Sequence, residues 1–123
     1  MKKAIKPSLK EIKTALWNFC KKRKLDPKKA ILIAGGALYL HGLKDSMNDI
    51  DAVIPEIPKI YEGYEGIFEM DIGSGENLSP EMLAYVTKNG LRVQSKKGAL
   101  AFYKFMNRPK DQRWIKLLEK ELK

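Results

Sequence analysis

The hydrophobic positions of this chain change period along its length, and each period points to an element. After Ser8, apolar residues stand at Leu9, Ile12, Leu16 and Phe19, three or four apart. That spacing gathers them on one face of a helix. Ser8 followed by Glu11 has the form of a capping box at its start, and the helix runs out near Lys24, before Asp26-Pro27. The apolar run Ile31-Leu32-Ile33-Ala34 reads as a short buried strand. Gly35-Gly36 breaks it ahead of a helix-forming stretch from Ala37 to His41. Two segments, Asp49 to Ile54 and Ile67 to Ile72, alternate polar with apolar residues, the period of a strand with one buried face. Between them, Ile57 to Tyr64, with Pro58 and Gly63, reads as an irregular turn or a single helical turn.

Downstream, Gly73-Ser74-Gly75 forms a loop, and Ser79-Pro80 has the form of an N-cap followed by proline at the first helical position. Met82, Leu83 and Val86 give that short helix its apolar side, and Asn89-Gly90 ends it. Leu91 to Ser95 alternates and reads as a fourth, edge strand. The last third is helical: Leu100, Tyr103 and Met106, or Phe102 and Met106, face a core, Pro109 punctuates, and Trp114, Ile115, Leu118 and Leu122 stripe a final helix. The pattern predicts one α/β (α+β) domain over residues 1–123: a small mixed sheet of three to four strands flanked by helices, with a helical C-terminus.

Candidate chemistry sits in the stretch from Ala30 to Glu56. Alternate strand residues share a face, so Asp49 and Asp51 project side by side, roughly 7 Å apart along the chain. Two carboxylates so placed repel unless a cation lies between them, and such oxygen pairs suit Mg²⁺ with waters and substrate phosphates. Glycines such as Gly35 and Gly36 let the backbone approach a ligand, and N–H groups at a helix start attract anions. A phosphate cradle and a metal clamp in one unit point to chemistry on a nucleoside triphosphate.

The order of these parts resembles the nucleotidyltransferase-fold superfamily: a hydrophobic strand, Gly35-Gly36, a short helix with His41-Gly42, a loop, then Asp49-Ile50-Asp51. Within it, the chain looks most like small single-domain bacterial and phage members related to aminoglycoside and lincosamide nucleotidyltransferases, abortive-infection toxins and minimal nucleotidyltransferases. The resemblance runs from Ala30 to Leu118. It implies transfer of a nucleoside monophosphate from a nucleoside triphosphate to a hydroxyl acceptor, with Mg²⁺ or Mn²⁺ held by Asp49, Asp51 and a third carboxylate on the neighbouring strand. Asp71 matches that third place, and Glu69, on the same strand face, is the alternative. Asn107-Arg108-Pro109-Lys110-Asp111 resembles a junction of small members, which makes Arg108 and Lys110 candidate phosphate contacts. Where such members carry a lysine on the preceding helix, this chain has Tyr103, with the candidate Lys104 beside it. Many relatives also place Arg-x-Thr-x before the paired aspartates. Here those positions are Asp45 and Met47, and Lys44 is the candidate substitute for the missing cation.

Composition narrows the setting. The net charge is +9, which favours anionic partners such as nucleotides, nucleic acid or an acidic protein. Lys21, Lys22, Arg23 and Lys24 suit the C-terminal end of a helix. The one cysteine, Cys20, excludes an internal disulfide framework and fits a cytoplasmic setting. No run approaches the roughly 18 apolar residues of a membrane span, and the basic leader from Met1 to Lys6 lacks the apolar stretch of a signal peptide. The one histidine, His41, reads as a helix-end residue, since one histidine does not build a typical zinc site. Two other classes of function suit the same sequence: a catalytically inactive, antitoxin-like binding or regulatory module on this fold, and a basic nucleic-acid-binding protein. The acceptor is unidentified, and an antibiotic, a protein hydroxyl, an RNA end and a small metabolite all qualify. A chain this short leaves little room for an acceptor domain, so a homodimer or a partner chain is expected to complete the cleft.

Overall fold

A computed structural model describes residues 4–123. The first three residues of the basic leader lie outside the described residues; Ile5 pairs with Met47 in an isolated antiparallel bridge. Helix α1 spans Leu9–Lys22 and opens on the capping box: the Ser8 hydroxyl accepts from the Glu11 N–H at 3.1 Å, and the Glu11 carboxylate accepts from the Ser8 N–H at 2.9 Å. Strand β1 (Ile31–Ile33) runs into α2 (Ala34–Leu40), and β2 (Asp49–Val53) follows. Strands β3 (Tyr61–Glu65) and β4 (Phe68–Gly73) make one hairpin, and β5 (Tyr85–Lys88) and β6 (Leu91–Gln94) make another. Helices α3 (Lys96–Met106) and α4 (Gln112–Glu121) close the described chain, joined by a 3-10 turn at Pro109–Asp111.

The sheet has six strands in the order β3-β4-β2-β1-β6-β5. It is mixed: β1 pairs antiparallel with β2 and parallel with β6, while β2 pairs parallel with β4. The expected sheet of three to four strands is therefore corrected to six. Strand β3 escaped the pattern because Tyr61-Glu62-Gly63-Tyr64-Glu65 is an edge strand with little burial on either face. Strand β5 escaped because Met82, Leu83 and Val86 mimic a helical spacing. The chain instead makes turns from Ser79 to Leu83 and then extends, with Tyr85, Val86 and Thr87 all exposed. Strand β6 is not an edge, since β5 covers its outer side. Gly35-Gly36 does not break the chain ahead of a helix; both glycines lie within the first turn of α2.

Strand alternation divides the core into two layers. Leu32, Ile50, Met70, Ile72, Leu91 and Val93 point to one sheet face, where Ile12, Leu16, Phe19 and Cys20 of α1 bury them. Ile31, Ile33 and Val53 point to the other face, where Leu38, Phe102, Tyr103 and Leu118 of the remaining helices meet them. Fully burying one such side chain contributes about 1.5–3 kcal/mol. Cys20 is buried, and that burial pushes its thiol up to about 11. His41 is the C-cap of α2, as expected of a helix-end residue. Among the described residues, no helix is long and apolar enough to cross a membrane.

Helices α3 and α4 lie over the β1 side of the second face. On the β4 and β3 side, that face carries polar residues: register pairing places Asp51 beside Asp71 and Asp71 beside Glu62, and likewise Asp49, Glu69 and Tyr64 in a second row.

Candidate active site

A cleft of 580 Å³ opens where α3 ends, α4 begins and the polar half of the sheet starts. Its floor is the sheet face with Asp49, Asp51 and Asp71; Ala34, Gly35 and Lys44 line one side, and Tyr103, Arg108, Lys110, Arg113 and Trp114 line another. Adjacent strands lie about 4.8 Å apart, so the Asp51 and Asp71 backbones are near neighbours. The three aspartates form a corner across two strands, with Asp49 and Asp51 along β2 and Asp71 beside Asp51 on β4. A smaller lobe of 330 Å³ continues from Asp49 and Asp71 along β3 and β4, lined also by Glu62, Tyr64 and Glu69. Both carboxylates that competed for the third place thus share a face, with Asp71 in both lobes and Glu69 in the smaller one.

The cations come from three elements. Lys44, in the loop before β2, has its ammonium 3.2 Å from where a Cβ on Gly35 would sit, so glycine there admits the lysine. Burial and the nearby Arg113 charge lower the Lys44 pKa, and Asp49 opposes them. An anion in the cleft would relieve that cost. Arg108 is fixed by Asp111: its Nε and a terminal nitrogen donate to the two carboxylate oxygens at 2.7 and 3.1 Å, and its backbone N–H donates at 3.1 Å. Asp111 is buried, and its hydrogen bond raises the Arg108 pKa. Lys110 and Arg113 follow on the same turn and on α4.

Other candidates lie elsewhere. Lys104 sits on the outer side of α3, 3.5 Å from Glu119. The residue before it, Tyr103, is buried and reaches the cleft. Burial, and then the charge of Asp111, push its phenol pKa upward, so it remains a hydroxyl donor beside Asp51 and Arg108. Gly36 is buried against Leu32, and of the two glycines only Gly35 lines the cleft. Asp45 is not in the cleft lining, and Met47 is buried beneath it in the core. The motif reading missed Arg113 and Trp114. Their signal was the apolar stripe of α4, whose flank turns both into the cleft; Arg113 lies 4.3 Å and Lys44 5.5 Å from the Trp114 ring centroid.

Gln94 supports this wall from below. It is fully buried; its amide nitrogen donates to the Met82 carbonyl at 2.7 Å, and its amide oxygen accepts from the Ala34 N–H at 3.1 Å. Ala34 has a φ of 58°, uncommon for a residue with a side chain. The Gln94 bond holds that conformation at the lip of the cleft.

Among the described residues, no group of three or more His, Cys, Asp or Glu side chains is placed to hold a metal ion. Mg²⁺ needs fewer protein ligands than that: it takes one or two carboxylates and completes its sphere with water and substrate phosphates. Comparison with family models, with curated proteins and with solved structures gives no match for this chain.

Proposed function

We propose that this protein is a metal-dependent nucleotidyltransferase of the nucleotidyltransferase-fold superfamily. It moves a nucleoside monophosphate from a nucleoside triphosphate to a hydroxyl acceptor. The observation that carries the reading is the opposition, within one 580 Å³ cleft, of Asp49, Asp51 and Asp71 on the sheet to Lys44, Arg108, Lys110 and Arg113 on the surrounding elements. Carboxylates alone would repel a triphosphate, and cations alone would bind any polyanion. The pair of them suits a triphosphate that arrives with a divalent ion.

Mg²⁺ or Mn²⁺ held by Asp49, Asp51 and Asp71 would neutralise charge on the phosphates and acidify the acceptor hydroxyl. The chain's own groups do the positioning. Arg108, whose Nε and one terminal nitrogen are held by Asp111, turns its remaining terminal N–H groups to the phosphates. Lys44 and Lys110 add point charges, and the Tyr103 hydroxyl is a donor that stays protonated. Asp71, which lines both lobes, faces the acceptor side and takes the proton of the attacking hydroxyl. The acceptor oxygen bonds to the α-phosphorus, the bond from that phosphorus to the β-phosphate oxygen breaks, and pyrophosphate leaves. Positioning and charge neutralisation supply most of the acceleration in this class of chemistry.

The test is incubation of the protein with each labelled nucleoside triphosphate, Mg²⁺ or Mn²⁺, and cell extract, beside an Asp49→Asn control. A labelled product that needs both the metal and Asp49 supports the reading. Salt-sensitive binding to RNA or DNA with no metal-dependent nucleotide binding would instead favour the nucleic-acid-binding class.

A further inference from the structure

We propose that the open edge of β3 is a homodimer seam, on which a second copy of this chain pairs its own β3 antiparallel about Gly63 and brings its Tyr64 to the rim of the cleft. The seam stands on the geometry of β3 and does not depend on the nucleotidyltransferase reading.

Strand β3 is one end of the sheet, so among the described residues one side of its backbone has no neighbouring strand. Three of the large apolar residues most open to solvent gather on this hairpin: Ile60 at 62%, Tyr64 at 70% and Ile67 at 68% exposure. Exposed edges are hazards that proteins ordinarily blunt with charged side chains, lysine above all, with proline or with a covering loop; β3 carries no lysine or proline, and its charges are Glu62 and Glu65. The hairpin turn closes on Glu65 and Phe68. Antiparallel ladders alternate, so Tyr61, Gly63 and Glu65 direct their backbone groups to β4, and Glu62 and Tyr64 direct theirs to the open edge.

The sequence of β3 selects a second copy as the occupant. With Gly63 opposite Gly63, Glu62 faces the partner's Tyr64, and Glu65 faces the partner's Tyr61. No carboxylate meets a carboxylate, and each glutamate gains a phenol. Glu62 and the partner's Tyr64 are also the two residues whose backbone groups point outward, so they exchange hydrogen bonds across the seam. Ile60 then comes against Gly66 and Ile67 of the second copy, which covers the apolar cluster. Glu62 is the register partner of Asp71, so the row Asp51, Asp71, Glu62 continues into the partner's Tyr64. The second copy thereby adds a phenol on the side of the smaller lobe, away from the cations.

Sedimentation equilibrium of the full chain across a micromolar-to-millimolar series, with amide hydrogen exchange on the same samples, tests the seam. The expected result is a reversible dimer, with Glu62 and Tyr64 amides gaining protection as concentration rises. Tyr64→Glu sets like charges across the seam twice and should weaken the dimer about tenfold or more. Adding Glu62→Lys to that variant restores opposite charges and should recover the dimer. A monomer at every concentration overturns the proposal. So does a dimer indifferent to Tyr64→Glu, or one that forms without new protection of the Glu62 and Tyr64 amides in the unaltered chain.

Discussion

Asp51 of β2 and Asp71 of β4 are register partners in adjacent parallel strands. Residues paired in this way project from the same face about 4.8 Å apart along the sheet. Asp71 is exposed, and Asp71→Asn keeps the size of the side chain while removing its charge. Binding of Mn²⁺, read by electron paramagnetic resonance, should weaken by about tenfold, because one full charge leaves the row. Unchanged Mn²⁺ affinity in the variant would remove Asp71 from the metal site.

Arg108 and Lys110 are near neighbours that should behave differently. Arg108→Ala strands the buried Asp111 carboxylate, which should cost about 3 kcal/mol and appear as a lower urea midpoint. Lys110→Ala removes an exposed side chain and should move stability by no more than about 0.5 kcal/mol while weakening nucleotide binding. Lys104→Ala, at the Glu119 pair, should leave nucleotide binding unchanged. A loss of binding in Lys104→Ala equal to that in Lys110→Ala would contradict the placement of these cations.

His41 gives a pH signature. Burial first, and then the charges of Lys88 and Lys96, hold its imidazole below the ordinary 6.5, against a hydrogen bond to the Gln94 carbonyl at 2.7 Å. The unfolded chain takes up this proton near pH 6.5 and the folded chain only at lower pH. Over that interval the unfolded state binds more protons, so stability rises with pH. The His41 contribution is complete above about pH 6.5 and is lost as pH falls towards the folded value. Melting temperatures between pH 5 and 7.5 should show a shallower slope for His41→Gln than for the unaltered chain. Equal slopes would mean that His41 titrates alike in both states.

Trp114 offers an optical test of cleft occupancy. The chain has two tryptophans, and Trp17 lies on α1, away from the cleft lining. In Trp17→Phe, emission from Trp114 should change saturably on adding Mg²⁺ with a nucleoside triphosphate. Emission that does not respond while binding is measured by another method would place the nucleotide elsewhere.

The sequence showed the centre of this fold more clearly than its edges. Asp49-Ile50-Asp51-Ala52 and Glu69-Met70-Asp71-Ile72 announce β2 and β4 because one face of each is buried under α1 and the other is not. Edge strands lack that contrast: β3 reads Tyr-Glu-Gly-Tyr-Glu, and β5 is exposed along most of its length. Tertiary pairing, not local pattern, makes both extended. The aspartates of the cleft were legible because strand alternation fixes their face. The cations were less so, because the phase of a helix relative to its neighbours decides which residues reach the cleft. On α3 that phase selects Tyr103 and turns Lys104 outward; on α4 it brings in Arg113 and Trp114. The buried amide of Gln94, which ties Ala34 to Met82, joins segments far apart in sequence and left no local mark.

The central claim is that Asp49 and Asp51 hold a metal that holds a nucleotide. Thermal melts of the unaltered chain and Asp51→Asn, each with and without Mg²⁺-ATP and Mg²⁺-GTP, test it most directly. Ligand at a hundredfold excess over its Kd should stabilise the unaltered chain by about 2.7 kcal/mol, and only when the divalent ion is present. Asp51→Asn should lose the ligand-induced shift, since the charge that holds the metal is gone. A variant that melts several degrees lower without ligand, yet gains the same shift with it, would make Asp51 a structural residue and contradict the metal site.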